Sequence, residues 1–103
     1  MRTADIFFQD ILAGHLQEQE DGRGYSFAYR PGYGGPPISL TMPVQTEPYM
    51  FNDFPPFFDG LLPEGVQLDA LLRQKKIDRD DRFRQLVTVG GDTVGAVTIT
   101  ETS

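Results

Sequence analysis

Cysteine is absent from this sequence of 103 residues, which excludes disulfide bonds and thiolate chemistry and suits a reducing cytoplasm. Basic residues are few: 9 Lys and Arg stand against 15 Asp and Glu, so the net charge is −6. Because neutralising phosphates requires clustered Lys and Arg, we expect no direct nucleic-acid partner. No apolar run approaches the ~20 residues that a membrane span needs, and the start MRTADIFFQD does not resemble a signal peptide. We therefore expect a cytoplasmic protein without a membrane partner.

The composition is that of a folded chain, with 39% hydrophobic and 23% charged residues. A chain of this length buries roughly two-thirds of its unfolded surface, which suffices for one modest core. We expect a single domain over residues 1–103.

Apolar and polar residues alternate in the first third of the chain, which is typical of half-buried strands. Asp21-Gly22 favours a hairpin turn, because glycine tolerates a positive φ. Residues 4–30 are thus predicted to form a three-stranded antiparallel meander, and alternation over residues 38–42 predicts a fourth strand. The residues expected to share a face are Ile6 with Phe8, Leu12 with Gly14 and Leu16, Tyr25 with Phe27 and Tyr29, and Ile38 with Leu40 and Met42.

Helical spacing begins after Pro63, with Glu64 in the first turn and Lys75-Lys76 in the last, and predicts a helix of about three turns. A second helix is predicted over residues 78–89, with Asp78 or Asp80 as its N-cap, followed by a glycine-rich turn and a closing strand. The fold class is then α+β, a small antiparallel sheet with two to three helices packed against it. The apolar positions are Leu68, Leu71 and Leu72 in the first helix, Phe83, Leu86 and Val87 in the second, and Val94, Ala96, Val97 and Ile99 in the strand.

Each candidate for chemistry has a simpler structural explanation. His15 lies opposite the apolar face of its strand and has no cysteine or serine motif to act with. The acidic run at 78–82 lacks the spacing of a calcium loop, so helix capping explains it better than metal binding. The stretch VGGDTVG at 89–95 precedes a strand and not a helix, which favours a tight turn over a phosphate loop. We therefore assign no catalytic, cofactor-binding or metal-binding residue.

The stretch FPPFFDGLLPEG at 54–65 combines aromatic residues with helix-breaking prolines and glycines. Its carboxylates, Asp59 and Glu64, lack the partners of an acid/base pair. Two alternatives remain: Phe57, Leu61 and Leu62 fill the core while Phe58 is partly exposed, or part of the stretch forms an apolar patch at a protein interface.

Four segments, in order, resemble the N-terminal subdomain of HipA-type serine/threonine kinase toxins. They are IFFQDILAGHL at 6–16, PPISLTMPV at 36–44, PPFFDGLLPEG at 55–65 and RFRQLVTVGGDTVGAVTI at 82–99. The resemblance covers nearly the whole chain. The kinase machinery of that family lies beyond this subdomain, so the resemblance implies a protein that is not an enzyme and carries no cofactor.

A freestanding copy of the subdomain resembles the HipS antitoxins of tripartite HipBST toxin–antitoxin systems. The resemblance implies an antitoxin that binds and inhibits a HipT-like kinase toxin, with a HipB-like DNA-binding protein contacted indirectly or weakly. The alternative is a structural or activating N-terminal module of a HipA-type kinase. A Pro-Glu-Gly corner fixes a turn at which Glu64 is able to meet a lysine or arginine of the kinase. The residues expected to contact the kinase are Phe58, Leu62, Pro63, Glu64, Gly65, Val66 and Gln67.

Overall fold

A computed structural model describes residues 2–19, 24–93 and 95–102. Within these residues an antiparallel sheet of five strands has the order β4-β3-β2-β1-β5. The strands are β1 (Thr3–Phe8), β2 (Ile11–Glu18), β3 (Tyr25–Tyr29), β4 (Tyr49–Phe51) and β5 (Val97–Glu101). The helices are α1 (Pro56–Asp59), α2 (Gly65–Lys75) and α3 (Arg82–Val89), and a 3₁₀ turn covers Gly90–Asp92. The predicted α+β class is confirmed.

The predicted meander is confirmed in β1, β2 and β3. Gln9 and Asp10 connect β1 to β2, and both have positive φ, 49° and 66°. A two-residue hairpin turn with this backbone matches the twist of the flanking strands. The predicted turn at Asp21-Gly22 lies outside the described residues.

Leu12 was expected to share a face with Gly14 and Leu16, and this was wrong because the β1–β2 register shifts by one residue. Ile6 pairs with Gly14, and the next residue, Phe7, pairs with Leu12, which leaves Ala13 without an opposite residue. This bulge turns Leu12 away from the side of Gly14 and places it on the side of Phe7.

The core lies between the sheet and helices α1 and α3. Phe58 of α1 packs against Phe27 of β3 with ring centroids 5.8 Å apart, and Phe83 of α3 is also fully buried. Burial of large aromatic side chains contributes roughly 1.5–3 kcal/mol each. The other largest fully buried side chains are Ile6, Leu16, Pro55, Gln85, Leu86 and Ile99.

The strand predicted at residues 38–42 is absent from the structure. Ile38 and Met42 are buried, but Leu40 is 95% exposed and the segment holds only an isolated bridge. The hydroxyl of Tyr29 accepts a hydrogen bond from the Ile38 amide at 3.0 Å and donates one to the Met42 carbonyl at 2.5 Å. A side chain therefore satisfies the backbone where a strand partner was expected, and the fourth strand is Tyr49–Phe51.

The N-cap of α3 is Asp81, so the prediction of Asp78 or Asp80 was wrong. Asp81 Oδ1 accepts a hydrogen bond from the Arg84 amide at 3.1 Å. Asp78 instead accepts one from the amide of Asp80, at 2.9 Å, in the preceding turn. The predicted stripe is confirmed: Phe83 and Leu86 are buried, and Val87 packs against the core.

Helix α2 has the predicted three turns but lies at the surface, with no buried residue. Its predicted stripe of Leu68, Leu71 and Leu72 is half-buried. Glu64 occupies the N-cap position and not the first turn, and its side chain makes no capping hydrogen bond. No helix in the described part of the chain is long and apolar enough to cross a membrane.

The closing strand is confirmed as β5, paired with β1. Gly90 lies against this strand so closely that an added Cβ would be 2.1 Å from the carbonyl oxygen of Ile99. The glycine-rich segment therefore turns tightly against the sheet, as expected. Val94, predicted as part of the strand, lies outside the described residues.

Candidate protein-binding surface

Of the adjacent residues Phe57 and Phe58, Phe58 is the more buried, which is the reverse of the expectation. Phe58 is fully buried, so it was wrong to expect it partly exposed, and it offers no surface to a partner. Phe57 is half-buried and packs edge-on against Phe58, with centroids 5.2 Å apart. Because α1 is a single helical turn, one of two adjacent residues faces the sheet while the other lies at its margin. Leu61 and Leu62 pack against the core, as predicted.

The remaining candidate residues lie at the end of the α1–α2 connection and in the first turn of α2, and residues 62–67 are named here the corner. Leu62 and Pro63 are half-buried and anchor it, whereas the next four residues are exposed. Gly65 has φ of +58°, a conformation that suits glycine. Val66 is 83% exposed, which is high for an aliphatic side chain. The corner thus presents a carboxylate and an aliphatic side chain next to each other.

The carboxylate of Glu64 has no hydrogen bond or ion pair to residues 2–19, 24–93 or 95–102. The nearby arginines have other partners: Arg79 lies 2.6 Å from Asp69, and Arg82 lies 3.7 Å from Asp59. Glu64 and these arginines line the same cleft of about 280 Å³. A carboxylate left free beside paired cations remains available to a basic group from another molecule.

On its other side, the corner borders an open groove of about 590 Å³ between α2 and the end of α3. Leu71 and Val89 contribute apolar surface to it, and Gln67 of the corner lies at its margin. Lys75 and Asp92 contribute charge of both signs. The groove adds an apolar margin to the corner but no arrangement of catalytic groups.

Another chemical candidate, His15, lies beside a carboxylate and a hydroxyl. His15 Nδ1 lies 2.9 Å from Asp5 Oδ1, and the Thr102 hydroxyl donates to the same oxygen at 2.8 Å. This cluster lies on the exposed side of the sheet, where His15 was expected. Among the described residues, no group of three or more His, Cys, Asp or Glu is placed to hold a metal ion.

Sequence reasoning missed two residues that shape this region. Asp81 both caps α3 and accepts a hydrogen bond from Arg2 at 3.0 Å. Gln85 is buried, and its Nε2 donates to the carbonyls of Asp78 and Arg79 at 3.2 and 3.0 Å. Gln85 follows the buried Phe83 by two residues on a short helix, and nothing in this spacing predicts that a polar side chain is buried there. Only the fold brings the carbonyls that satisfy it into reach.

The fold and this surface define a small α+β domain whose prominent feature is an exposed apolar and acidic corner. The HipA N-terminal domain family matches residues 4–100, so the chain belongs to that family.

A protein of Haemophilus influenzae is 36% identical over 101 residues, with 98% of this chain and 93% of the relative aligned. The Sinorhizobium fredii protein Y4mE, which carries a kinase name, is 27% identical over 100 residues, and this chain spans only 24% of its length.

Two solved structures are similar to the whole domain. The N-terminal domain of HipA toxin matches with a TM-score of 0.78 and 30% identity, covering 100% of this chain and 94% of that one. A chain of the Shewanella oneidensis MR-1 complex of HipA, HipB and operator DNA matches with a TM-score of 0.80 and 24% identity, a likeness of fold. That match covers 94% of this chain and 23% of that one. The same fold thus occurs within a longer chain, and the relative that carries a kinase name is also longer than this chain.

Proposed function

We propose that this chain is an antitoxin of the HipS type, which binds a HipT-like serine/threonine kinase toxin and inhibits it. The corner carries the proposal, because an anchored turn presents Val66 at 83% exposure beside Glu64, whose carboxylate makes no capping hydrogen bond and has no partner among the described residues. In the complex, Glu64 pairs with a lysine or arginine of the kinase nucleotide cleft, and Val66 and Gln67 cover the rim of that cleft.

The proposed action is binding in trans without turnover. A copy of the N-terminal domain occupies the kinase surface that the same domain covers in a longer protein, and it holds the active site closed. Its net charge of −6 favours a basic cleft as the target. A HipB-like DNA-binding protein would be contacted indirectly or weakly through the kinase.

The test uses a HipT-like kinase, co-expressed with this chain and scored for growth and autophosphorylation. The corner variant is Glu64→Gln with Val66→Asp, because Gly65 at positive φ tolerates substitution poorly. Its matched control is Asp10→Asn with Ile11→Asp in the β1–β2 hairpin, the same two chemical changes at exposed positions. We expect the corner variant to release kinase activity and the control to remain inhibitory. Unchanged inhibition by the corner variant would exclude the corner as the inhibitory element.

A second candidate function is a structural or activating module of a HipA-type kinase. The observation in its favour is the S. fredii relative, of which this chain spans 24%. The two candidates predict opposite effects: an antitoxin lowers phosphorylation by the added kinase, whereas an activating module leaves it unchanged or raises it. Titrating the chain into a kinase assay decides between them.

A further inference from the structure

A charge-free segment lies in the connection from β3 to β4, and we name residues 31–46 the strap. It contains no Asp, Glu, Lys, Arg or His, although 23% of the chain is charged. Most of its residues are exposed, with Leu40 at 95% and Val44 at 42%. Depletion of charged residues is typical of the centre of a protein interface, and contiguous exposed apolar surface marks interaction sites.

Three tyrosines fix the strap to the sheet. Tyr29 bonds the amide of Ile38 and the carbonyl of Met42. Tyr33 stacks on Tyr29, with centroids 5.6 Å apart, and its hydroxyl donates to Pro36 O at 2.7 Å. A further attachment is made by Tyr49, whose hydroxyl donates to the carbonyl of Pro43 at 2.5 Å. The strap is thus held along its length despite lacking regular secondary structure.

Leu40 lies at the tip of a turn between these attachments. The Met42 amide donates to Ser39 O at 3.1 Å, and the Thr41 amide donates to Ser39 Oγ at 3.2 Å. Because the flanking Ile38 and Met42 are buried, Leu40 is presented outward on a fixed base. A side chain fixed in this way loses little conformational freedom on binding, which lowers the entropic cost of an interface.

The corner alone is too small for a stable complex. A standard interface buries about 800 Å² on each partner and involves roughly 20–30 residues a side. The corner has six residues, 62–67, and the strap has sixteen, 31–46, so only together do they approach that size.

The two surfaces both adjoin α1. Thr41 and Met42 of the strap line an apolar recess of about 290 Å³ together with Phe57 of α1. From Phe57 the chain passes directly through α1 into Leu61 and Leu62, where the corner begins. One protein partner is therefore able to cover both.

We infer that the strap is a second docking element for the kinase of the proposed function, on which this inference rests. Leu40 inserts into an uncharged apolar pocket of that partner. The partner surface must be uncharged, because burying an unpaired charge against the strap is strongly unfavourable. The strap supplies affinity, whereas the corner supplies inhibition.

The experiment measures the dissociation constant between this chain of 103 residues and the same HipT-like kinase by titration calorimetry. Leu40→Asp and Val44→Asp are the strap variants, Leu40→Met is the conservative variant, and Ile11→Asp is the control at an exposed aliphatic residue elsewhere. We expect Leu40→Asp to weaken binding at least tenfold and Val44→Asp to weaken it less. Leu40→Met and Ile11→Asp should stay within about twofold of the unmodified chain. Thermal unfolding checks that each variant is folded.

If Leu40→Asp binds the kinase as tightly as the unmodified chain does, the inference is overturned and the proposed function still stands. If the unmodified chain itself does not bind the kinase, the proposed function fails, and the inference fails with it. Light scattering of the isolated chain tests a second copy as the occupant. A dimer that Leu40→Asp converts to a monomer assigns the strap to self-association and also overturns the inference.

Discussion

Arg2 at the start of the sheet donates a hydrogen bond of 3.0 Å to Asp81, the residue that caps α3. The same guanidinium binds both carboxylate oxygens of Glu18, at 3.0 and 2.7 Å, and lies 4.9 Å from the ring centroid of Phe83. One side chain thus joins β1, β2 and α3, and it couples the end of the sheet to the helix that completes the core.

Replacing Arg2 by Met should make stability less sensitive to acid. The hydrogen bond from Arg2 lowers the pKa of Glu18 below its ordinary value of 4.5. Burial raises the pKa of Asp81, but hydrogen bonds from Arg2 and from the Arg84 amide outweigh it, so that pKa also falls below 3.8. A lowered folded-state pKa stabilises the fold above the unfolded pKa, and this contribution is lost as pH falls through the folded value.

The measurement is urea unfolding of both proteins between pH 7 and pH 3. At pH 7 Arg2→Met should be less stable by about 1–2 kcal/mol, a modest value because the three side chains are partly exposed. The difference should shrink below about pH 5 as the carboxylates protonate. A constant difference across this range would contradict the assignment, and Arg79→Met, which breaks an exposed pair with Asp69, is the control.

Phe58 and Phe57 should differ sharply when each is replaced by alanine. Phe58→Ala opens a cavity in the core and should cost about 3–5 kcal/mol, a large part of the stability of a small domain. Phe57→Ala removes a half-buried ring and should cost roughly 1–2 kcal/mol. Chemical denaturation measures both values. Equal losses of stability in the two variants would contradict the finding that Phe58 is buried and Phe57 only half-buried.

The fold class could be predicted from the sequence because the local patterns, alternation in the first third and helical spacing later, match the observed strands and helices. Gln9-Asp10 separates two alternating runs, and helical spacing follows Pro63. Alternation was misleading at residues 38–42, because Tyr29 replaces a strand partner, and this contact joins residues far apart in sequence. The burial of Phe57 and Phe58 was predicted the wrong way round for the same reason. Which of two adjacent aromatic residues in a single helical turn is buried depends only on where the sheet lies. The corner was predictable because its Pro and Gly act locally.

Gly90 should not tolerate alanine, whereas Gly91 should. The added Cβ at position 90 would meet backbone atoms of Ile99, which are unable to move without disturbing β5, whereas nothing lies within 4 Å of a Cβ at position 91. Overpacking of this kind costs about 1–3 kcal/mol, and each kcal/mol lowers Tm by about 4–8 °C in a domain of this size. Calorimetry of both variants checks this. A Tm for Gly90→Ala as high as that for Gly91→Ala would show that this segment is not packed as described.

Tyr29→Phe should loosen the strap and lower stability, because it removes two hydrogen bonds while keeping the ring. The Ile38 amide and the Met42 carbonyl would both lose their partner at buried positions, at a cost of about 2–4 kcal/mol. Burial raises the pKa of Tyr29, so its hydroxyl stays protonated and donates throughout the physiological range. Chemical denaturation measures the loss, with Tyr33→Phe as the control that removes one hydrogen bond, to Pro36.

If the kinase binds the strap, Tyr29→Phe should also weaken kinase binding, because Leu40 would no longer be held in place. Tyr29 itself is buried and does not contact the partner. Full stability and full affinity in Tyr29→Phe would contradict the view that tyrosine hydroxyls fix this segment.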